Sequence, residues 1–177
     1  MEKNAMQEPR LDKVTLNIGI GSAGEQLQNA RDLLERITGK KPVLTRAKAR
    51  NATWKLKQGD NIGTKVTLRG KDAAELLKKA LDVVEFTLKD SSFDKSGSVA
   101  FGIKEYIDFP GIKYDPKIGM MGFDVCATLK KPGSRIALRK IAKRKLPQKQ
   151  RVSREEAMAF MAKTFGVKVA EESQSAE

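Results

Sequence analysis

Val14-Thr15-Leu16-Asn17-Ile18-Gly19-Ile20-Gly21-Ser22-Ala23-Gly24 is compatible with two folds, and the choice between them governs the rest of the chain. Val14, Leu16, Ile18 and Ile20 alternate with Thr15, Asn17 and Gly19, the period-two pattern of a strand buried on one face. Gly19 to Gly24 then spells G-x-G-x-x-G ahead of a helix, the spacing with which a dinucleotide-binding fold cradles a pyrophosphate on backbone amides. Such a fold needs an Asp or Glu about 20 residues further on to hold the ribose. That position falls in Gly39-Lys40-Lys41-Pro42-Val43-Leu44, which has no acid. The chain does not continue as alternating strand–helix–strand units either. A dinucleotide-dependent enzyme on Gly19, Gly21 and Gly24 is therefore the weaker alternative. A phosphate-contacting turn whose amides meet an RNA backbone, or a purely structural glycine turn, is expected instead.

Working outward, Ser22-Ala23-Gly24-Glu25 has capping-box spacing. The helix it opens carries Leu27, Ala30, Leu34 and Ile37 on one face, and Gly39 stops it. An extended piece at Pro42–Arg46 follows. Two strands, roughly 52–58 and 64–69, are then expected as a hairpin across Gly59-Asp60-Asn61-Ile62-Gly63. Asp72-Ala73-Ala74-Glu75 is a second box, opening a helix with Ala73, Leu76, Leu77, Ala80, Leu81 and Val84 inward. Residues 99–107 and 121–129 are further strands, separated by a long loop marked by Pro110-Gly111 and Asp115-Pro116. Ser153-Arg154-Glu155-Glu156 opens a last helix that buries Ala157, Phe160, Met161 and Phe165. The pattern predicts one α+β domain over 1–177, mainly an antiparallel sheet with helices on one face and the other face open. Residues 1–10 and 170–177 are expected to be loose.

Charge tells what the open face meets. Residues 130–154 hold eleven Lys or Arg and residues 39–59 hold seven, neither stretch with a single acid. Those 18 of 35 bases are the whole positive excess, since the remainder has 17 bases against 22 acids. Concentrated basic segments are the footprint of a polyphosphate partner, because neutralised phosphates release condensed counterions. The expected open-face residues are Thr15, Asn17, Thr53, Lys55, Lys57, Lys65, Thr67 and Arg69. They suit phosphate, 2′-hydroxyl and base-edge hydrogen bonds, and none is a carboxylate. Trp54 and the two tyrosines have the chemistry to stack on bases, but Trp54 shares a face with Leu56, and core burial is expected for it. In 130–154, Ile136, Leu138, Ile141 and Leu146 are too sparse for a good membrane-surface helix. An arm over 130–151 that orders against RNA fits better, with Arg135, Arg139, Lys140, Lys143, Arg144 and Lys145 as its contacts.

Catalytic signatures are missing. The chain has no histidine, no G-x-S-x-G and no phosphate-binding P-loop motif. Cys126 is the single cysteine and lies in the alternating run Phe123–Leu129, so it is expected as a sheet residue rather than a nucleophile. Asp108 and Asp115 flank the Pro-Gly loop, where turn capping explains them more simply than acid–base chemistry. No apolar run reaches 18 residues, and the start lacks an apolar signal region, so a soluble intracellular protein is expected, with no membrane, cofactor or metal.

Several joined motifs are together specific. They are Asn17-Ile18-Gly19-Ile20-Gly21, Thr38-Gly39-Lys40-Lys41-Pro42 with Arg46-Ala47-Lys48, and Gly63-Thr64-Lys65-Val66-Thr67-Leu68-Arg69-Gly70. Phe101-Gly102-Ile103-Lys104-Glu105, Gly111-Ile112-Lys113-Tyr114-Asp115-Pro116, Gly119-Met120-Met121-Gly122-Phe123-Asp124-Val125 and Ser153–Gly166 follow in order. Over about residues 10–168 the chain resembles the L-five family of large-subunit ribosomal proteins in its archaeal and eukaryotic form. The resemblance implies a cytoplasmic, ribosome-bound structural protein without enzymatic activity. Its implied partners are 5S ribosomal RNA, which it anchors in the central protuberance, large-subunit rRNA, P-site tRNA and neighbouring ribosomal proteins. The family's 5S surface, carried onto this chain, names Asn17, Lys40, Lys41, Thr45, Arg46, Lys48, Lys65, Thr67 and Arg69. Its tRNA-contacting loop names Lys57, Gln58, Gly59, Asp60 and Asn61. The alternative outside the family is a non-specific RNA chaperone.

Overall fold

The structure, a computed structural model, describes Asn4, residues 6–22 and residues 24–170. The expectations for residues 1–3, 5 and 171–177 lie outside the described residues. The elements in chain order are β1 (Arg10–Gly19), α1 (Glu25–Thr38), β2 (Val43–Arg46), β3 (Asn61–Leu68) and α2 (Lys71–Val83). After them come β4 (Thr87–Lys89), β5 (Ser98–Ile103), β6 (Phe123–Lys130), α3 (Arg154–Phe165) and β7 (Lys168–Ala170). Five strands form an antiparallel sheet in the order β2-β3-β1-β6-β5, and β4 pairs parallel with β7 as a separate ribbon. The α+β class is as expected; the ribbon was not foreseen, because three-residue strands carry no periodic signal. The chain groups into two compact units. One holds Thr15–Leu68 and Gly102–Cys126; the other holds the described residues up to Val14, Arg69–Phe101 and those from Ala127 onward.

In the Thr15–Leu68 unit, alternation works as the sequence suggests. Leu16 and Ile18 of β1 and Thr64, Val66 and Leu68 of β3 are buried, while Lys65 and Thr67 are exposed. α1 packs on β3 through a stripe in which Leu27, Ala30, Leu33 and Leu34 are buried. Each such leucine contributes about 1.5–3 kcal/mol of apolar transfer. Gly39 ends the helix in the left-handed region (φ 65°), its N–H donating to the Glu35 carbonyl. The long loop before β6 is tied to α1: Arg36 pairs with Asp115 at 2.8 Å, and Asn29 Nδ2 donates to the Lys117 carbonyl at 2.8 Å. Asp115 also accepts from the Lys117 N–H, and its own N–H donates to the Tyr106 hydroxyl. The Arg36 hydrogen bond holds the Asp115 carboxyl below its ordinary value. Asp115 is thus a loop-fixing group, as turn chemistry predicted. Cys126 is a half-buried strand residue, as its place in the alternating run suggests, and burial pushes its thiol up.

Four local expectations change. Residues 52–58 are not a strand: β3 pairs instead with β2, in the register Val43↔Lys65, Leu44↔Thr64, Thr45↔Gly63 and Arg46↔Asn61. Asn51 Oδ1 accepts the N–H groups of Thr53 and Trp54, and Lys55 is left-handed at φ 52°. That turn chemistry outcompetes extended backbone. Thr53, Lys55 and Lys57 therefore leave the sheet face for an exposed loop, and Trp54 is 71% exposed rather than in the core. The boxes at Ser22 and Asp72 also fail: the helices are capped at Gly24 and Gly70 without a side-chain hydrogen bond. Gly70 starts α2 in the left-handed half of backbone space (φ 69°), so Asp72 falls inside the helix. Finally, the strand expected over 99–107 stops at Ile103, because Tyr106–Asp108 is a 3-10 turn.

In the other unit, α2 buries Ala73, Leu76, Leu77, Ala80 and Leu81, and α3 buries Ala157, Met161 and Phe165. Phe160 is only half-buried, edge-on to Phe165. The third box is present: Ser153 Oγ accepts from the Glu156 N–H, and the Glu156 carboxylate accepts from the Ser153 N–H. Residues 6–10 are not loose throughout, since Arg10 opens β1 and the Met6 carbonyl accepts from Gln150 Nε2.

Gly63 sits where a Cβ would approach the Ile18 carbonyl oxygen to 2.6 Å and Thr45 Oγ1 to 2.9 Å. Backbone cannot yield cheaply there, so Gly63→Ala is expected to destabilise the protein by about 1–3 kcal/mol. Gly19→Ala meets nothing within 4 Å and serves as the control. Chemical denaturation of both variants checks this; equal midpoints would refute the close approach.

Candidate nucleic-acid interface

The open side of β1, β2 and β3 within the Thr15–Leu68 unit is built from short polar and basic side chains. Thr15 and Asn17 stand half-buried on β1, Lys65 and Thr67 exposed on β3, and Thr45 half-buried on β2 opposite Gly63. The Thr15 and Thr67 hydroxyls lie 3.5 Å apart, so two donor–acceptor groups share one spot. A register shift between Thr45 and Arg46 interrupts the alternation of β2, and Arg46 too is exposed. β1, β2 and β3 present no carboxylate there within this unit; Asp124 on β6 is exposed and is its acidic member. Lys40, Lys41 and Lys48 are exposed in the turns flanking β2. The strands thus bring Asn17, Thr45, Lys65 and Thr67 together, the end of β2 adds Arg46, and the turns add Lys48 and the two lysines after α1.

The loop from Ala47 to Asp60 is closely knit. The Ala47 N–H donates to the Asp60 carbonyl at 2.8 Å, and the Gly59 N–H to the Ala47 carbonyl at 3.0 Å. Asp60 Oδ2 accepts the Lys57 N–H at 2.8 Å, so its carboxylate faces the loop's own backbone. Lys57, Gln58 and Gly59 are exposed, and Asp60 and Asn61 are half-buried. At the glycine turn before α1 the geometry matches the structural one of the two expected readings: the N–H groups of Ile20 and Gly21 both donate to the Ile62 carbonyl, at 3.0 and 2.9 Å. Those amides are occupied, so they cradle neither a pyrophosphate nor an RNA phosphate. Two of the amides that the dinucleotide alternative would use are thus unavailable to it.

Arg69 belongs to the other unit and is less available than its neighbours in sequence suggest. It pairs with Asp12 at 3.0 Å, and Lys130 reaches the same carboxylate at 2.8 Å. Burial alone would raise the Asp12 carboxyl; the hydrogen bonds and charges of Lys130 and Arg69 outweigh it and hold the group below its ordinary value. No local sequence signal points to this pairing, since the three residues are far apart along the chain. Lys131 (5% exposed) pairs with Glu156 at 2.7 Å, and Arg154 with Asp90 at 2.7 Å. The other eight bases of 130–154 form no ion pair among the described residues. They sit on exposed turns, with 3-10 segments at Ser134–Ala137 and Gln148–Gln150. Lys143, Arg144, Lys145 and Arg151, with Ala137 and Leu146, line a concavity of about 410 Å³. Among the described residues no helix is long and apolar enough to cross a membrane.

Fold and surface together define a class, the small basic α+β proteins of ribonucleoprotein particles. Residues 4–57 match the family described as ribosomal protein L5, and residues 61–160 match the C-terminal region of that same ribosomal family. The chain is 46% identical to the large ribosomal subunit protein uL5 of Aeropyrum pernix, over 94% of this chain and 87% of that protein. It is 50% identical to uL5 of Sulfurisphaera tokodaii over 95% and 96% of the two chains, and 46% identical to uL5 of Methanosphaera stadtmanae over 94% and 99%. The chain belongs to the ribosomal protein L5 family, whose members are structural components of the ribosome.

The Asp12 cluster makes an acid-side prediction. The folded carboxyl has the lower pKa, so the unfolded chain takes up its proton first. Its contribution is complete above about pH 4 and disappears as pH falls through the lowered folded value. Asp12→Asn is expected to flatten the acid-side loss of stability while lowering neutral-pH stability by less than about 1 kcal/mol. Urea midpoints measured across that window check it; parallel curves for both proteins would refute it.

Proposed function

We propose that this ribosomal protein binds 5S ribosomal RNA, anchors it in the central protuberance of the large subunit and touches P-site tRNA with its Lys57–Asn61 loop. The place of action is the cytoplasmic ribosome. The observation that carries the proposal is the shared face of Thr15, Asn17, Thr45, Lys65 and Thr67, to which β1, β2 and β3 add no carboxylate between Thr15 and Leu68. Such a face meets phosphates with ammonium groups, and 2′-hydroxyls and base edges with hydroxyls and an amide. Rigid strands hold these groups at fixed spacings, which favours a folded RNA of matching shape over an arbitrary strand. Large-subunit rRNA is assigned to the exposed bases of the 135–151 segment, where eight cations have no internal acid to neutralise them among the described residues. Arg69 is counted with the RNA-facing bases, since its side chain stays exposed while it pairs with Asp12.

Salt dependence separates these roles. Arg46→Ala or Lys65→Ala is expected to reduce the slope of log affinity against log salt by about 0.7–0.9 for 5S RNA, one phosphate contact each. Thr67→Val should weaken binding with the slope retained. Unchanged slopes in both basic variants would remove the face from the interface. Lys57→Ala combined with Gln58→Ala should spare 5S binding and weaken the tRNA contact; loss of 5S binding instead would overturn the division of labour.

A further inference from the structure

Trp54 stands in the open at the tip of a loop that also carries four cations. It is 71% exposed, and no other aromatic ring of the described residues stacks on it. Lys48, Arg50, Lys55 and Lys57 are all exposed around it in sequence, and residues 39–59 contain no acid. An indole left in water on a loop that carries four cations is a poor arrangement for stability and a good one for an unpaired base next to its phosphates.

The loop is built to hold the indole out. Asn51 and Leu56 exchange two backbone hydrogen bonds, at 3.0 and 2.9 Å, closing the turn at its base. Inside it, Asn51 Oδ1 accepts the Thr53 N–H at 3.0 Å and the Trp54 N–H at 3.4 Å, and the Lys55 N–H donates to the Ala52 carbonyl at 3.1 Å. Asp60 fixes the Lys57 N–H from the far side. Trp54 is therefore presented on a fixed backbone and loses little freedom when a base covers it. Lys55 supports the same conclusion. Its φ of 52° lies where glycine is at ease and a lysine is not, so a charged side chain is kept next to the indole against local backbone preference.

We propose that Trp54 is a stacking platform for one unpaired nucleobase of a folded RNA, with Lys55 and its basic neighbours holding the adjacent phosphates. This rests on the RNA-binding role proposed above and adds to it a contact made by an aromatic face. Stacking tolerates any base, so the platform supplies affinity while the strand face supplies the choice of RNA. The same chemistry is offered by an unpaired base of 5S rRNA or of tRNA, and the experiment distinguishes them.

Trp54 is the only tryptophan in the chain, so indole emission of the intact protein reports on this site alone. The protein is titrated separately with 5S rRNA and with tRNA, while binding is followed independently by filter retention. Quenching that saturates with the binding curve of one RNA supports the proposal and names the source of the base. Trp54→Ala should then weaken that RNA about ten-fold with the salt slope unchanged, and Trp54→Phe should recover most of the loss where Trp54→Leu does not. Because the side chain is exposed, all three variants should unfold at the midpoint of the parent. Binding to either RNA without any change in emission would overturn the stacking proposal and leave the RNA-binding role standing. No binding to either RNA would overturn that role itself. Full affinity in Trp54→Leu would overturn stacking in favour of a merely apolar contact. A blue-shifted emission on anionic phospholipid vesicles, with neither RNA altering it, would overturn it in favour of a membrane contact.

Discussion

Gly63 is where β3 runs between its neighbours: a methyl group there would lie 2.6 Å from the β1 carbonyl of Ile18 and 2.9 Å from the β2 hydroxyl of Thr45. The absence of a side chain lets three strands approach, and that approach creates the polar face. With β2 paired to β3 in the Thr45↔Gly63 register, Thr45 shares a side with Lys65 and Thr67, and β1 adds Thr15 and Asn17. A one-residue slip of β3 would turn Lys65 and Thr67 to the opposite side, away from Thr45, Thr15 and Asn17. The buried alternation of Leu16, Ile18, Val66 and Leu68 makes such a slip expensive, since it would expose the core in exchange. Polar-face groups and core residues are two readings of the same strands, and each fixes the other.

Charge follows a similar division. Net charge is +13, yet the cations separate into those that hold the protein together and those left for a partner. Lys131, Lys130 and Arg154 each close an internal ion pair, with Glu156, Asp12 and Asp90 respectively. A buried ammonium such as that of Lys131 would be strongly destabilising without its carboxylate. Lys65, Arg46 and the eight remaining bases of the later segment have no such acid among the described residues, so their repulsion is unrelieved in the free protein. A polyanion relieves it, which is why stability should rise when RNA is bound.

Much of this was legible in the sequence because it depends on periodicity. β1, α1, α2, β6 and α3 were all visible from apolar spacing, and Gly39 and Ser153 marked their helix ends by local chemistry alone. Residues 52–58 misled because alternating Thr53, Lys55 and Lys57 mimic a strand, whereas Asn51 organises a turn through its side chain. The burial assigned to Trp54 failed with that strand. The glycine motif left two readings open, and the sequence could not choose between them because the carbonyl that occupies the Ile20 and Gly21 amides, that of Ile62, lies some forty residues away. Asp12 was invisible because its partners lie at positions 69 and 130, and no local pattern joins them. Pairings of that range belong to topology, which composition does not encode.

The most direct test of a shape-selective RNA-binding face is to titrate the protein against labelled 5S ribosomal RNA and against an unrelated structured RNA of equal length, at several salt concentrations. Fixed hydroxyl, amide and ammonium groups predict tight 5S binding that persists as salt rises while the control falls away. Equal affinities with the same steep salt dependence would contradict it and leave a basic protein with the behaviour of a general RNA chaperone.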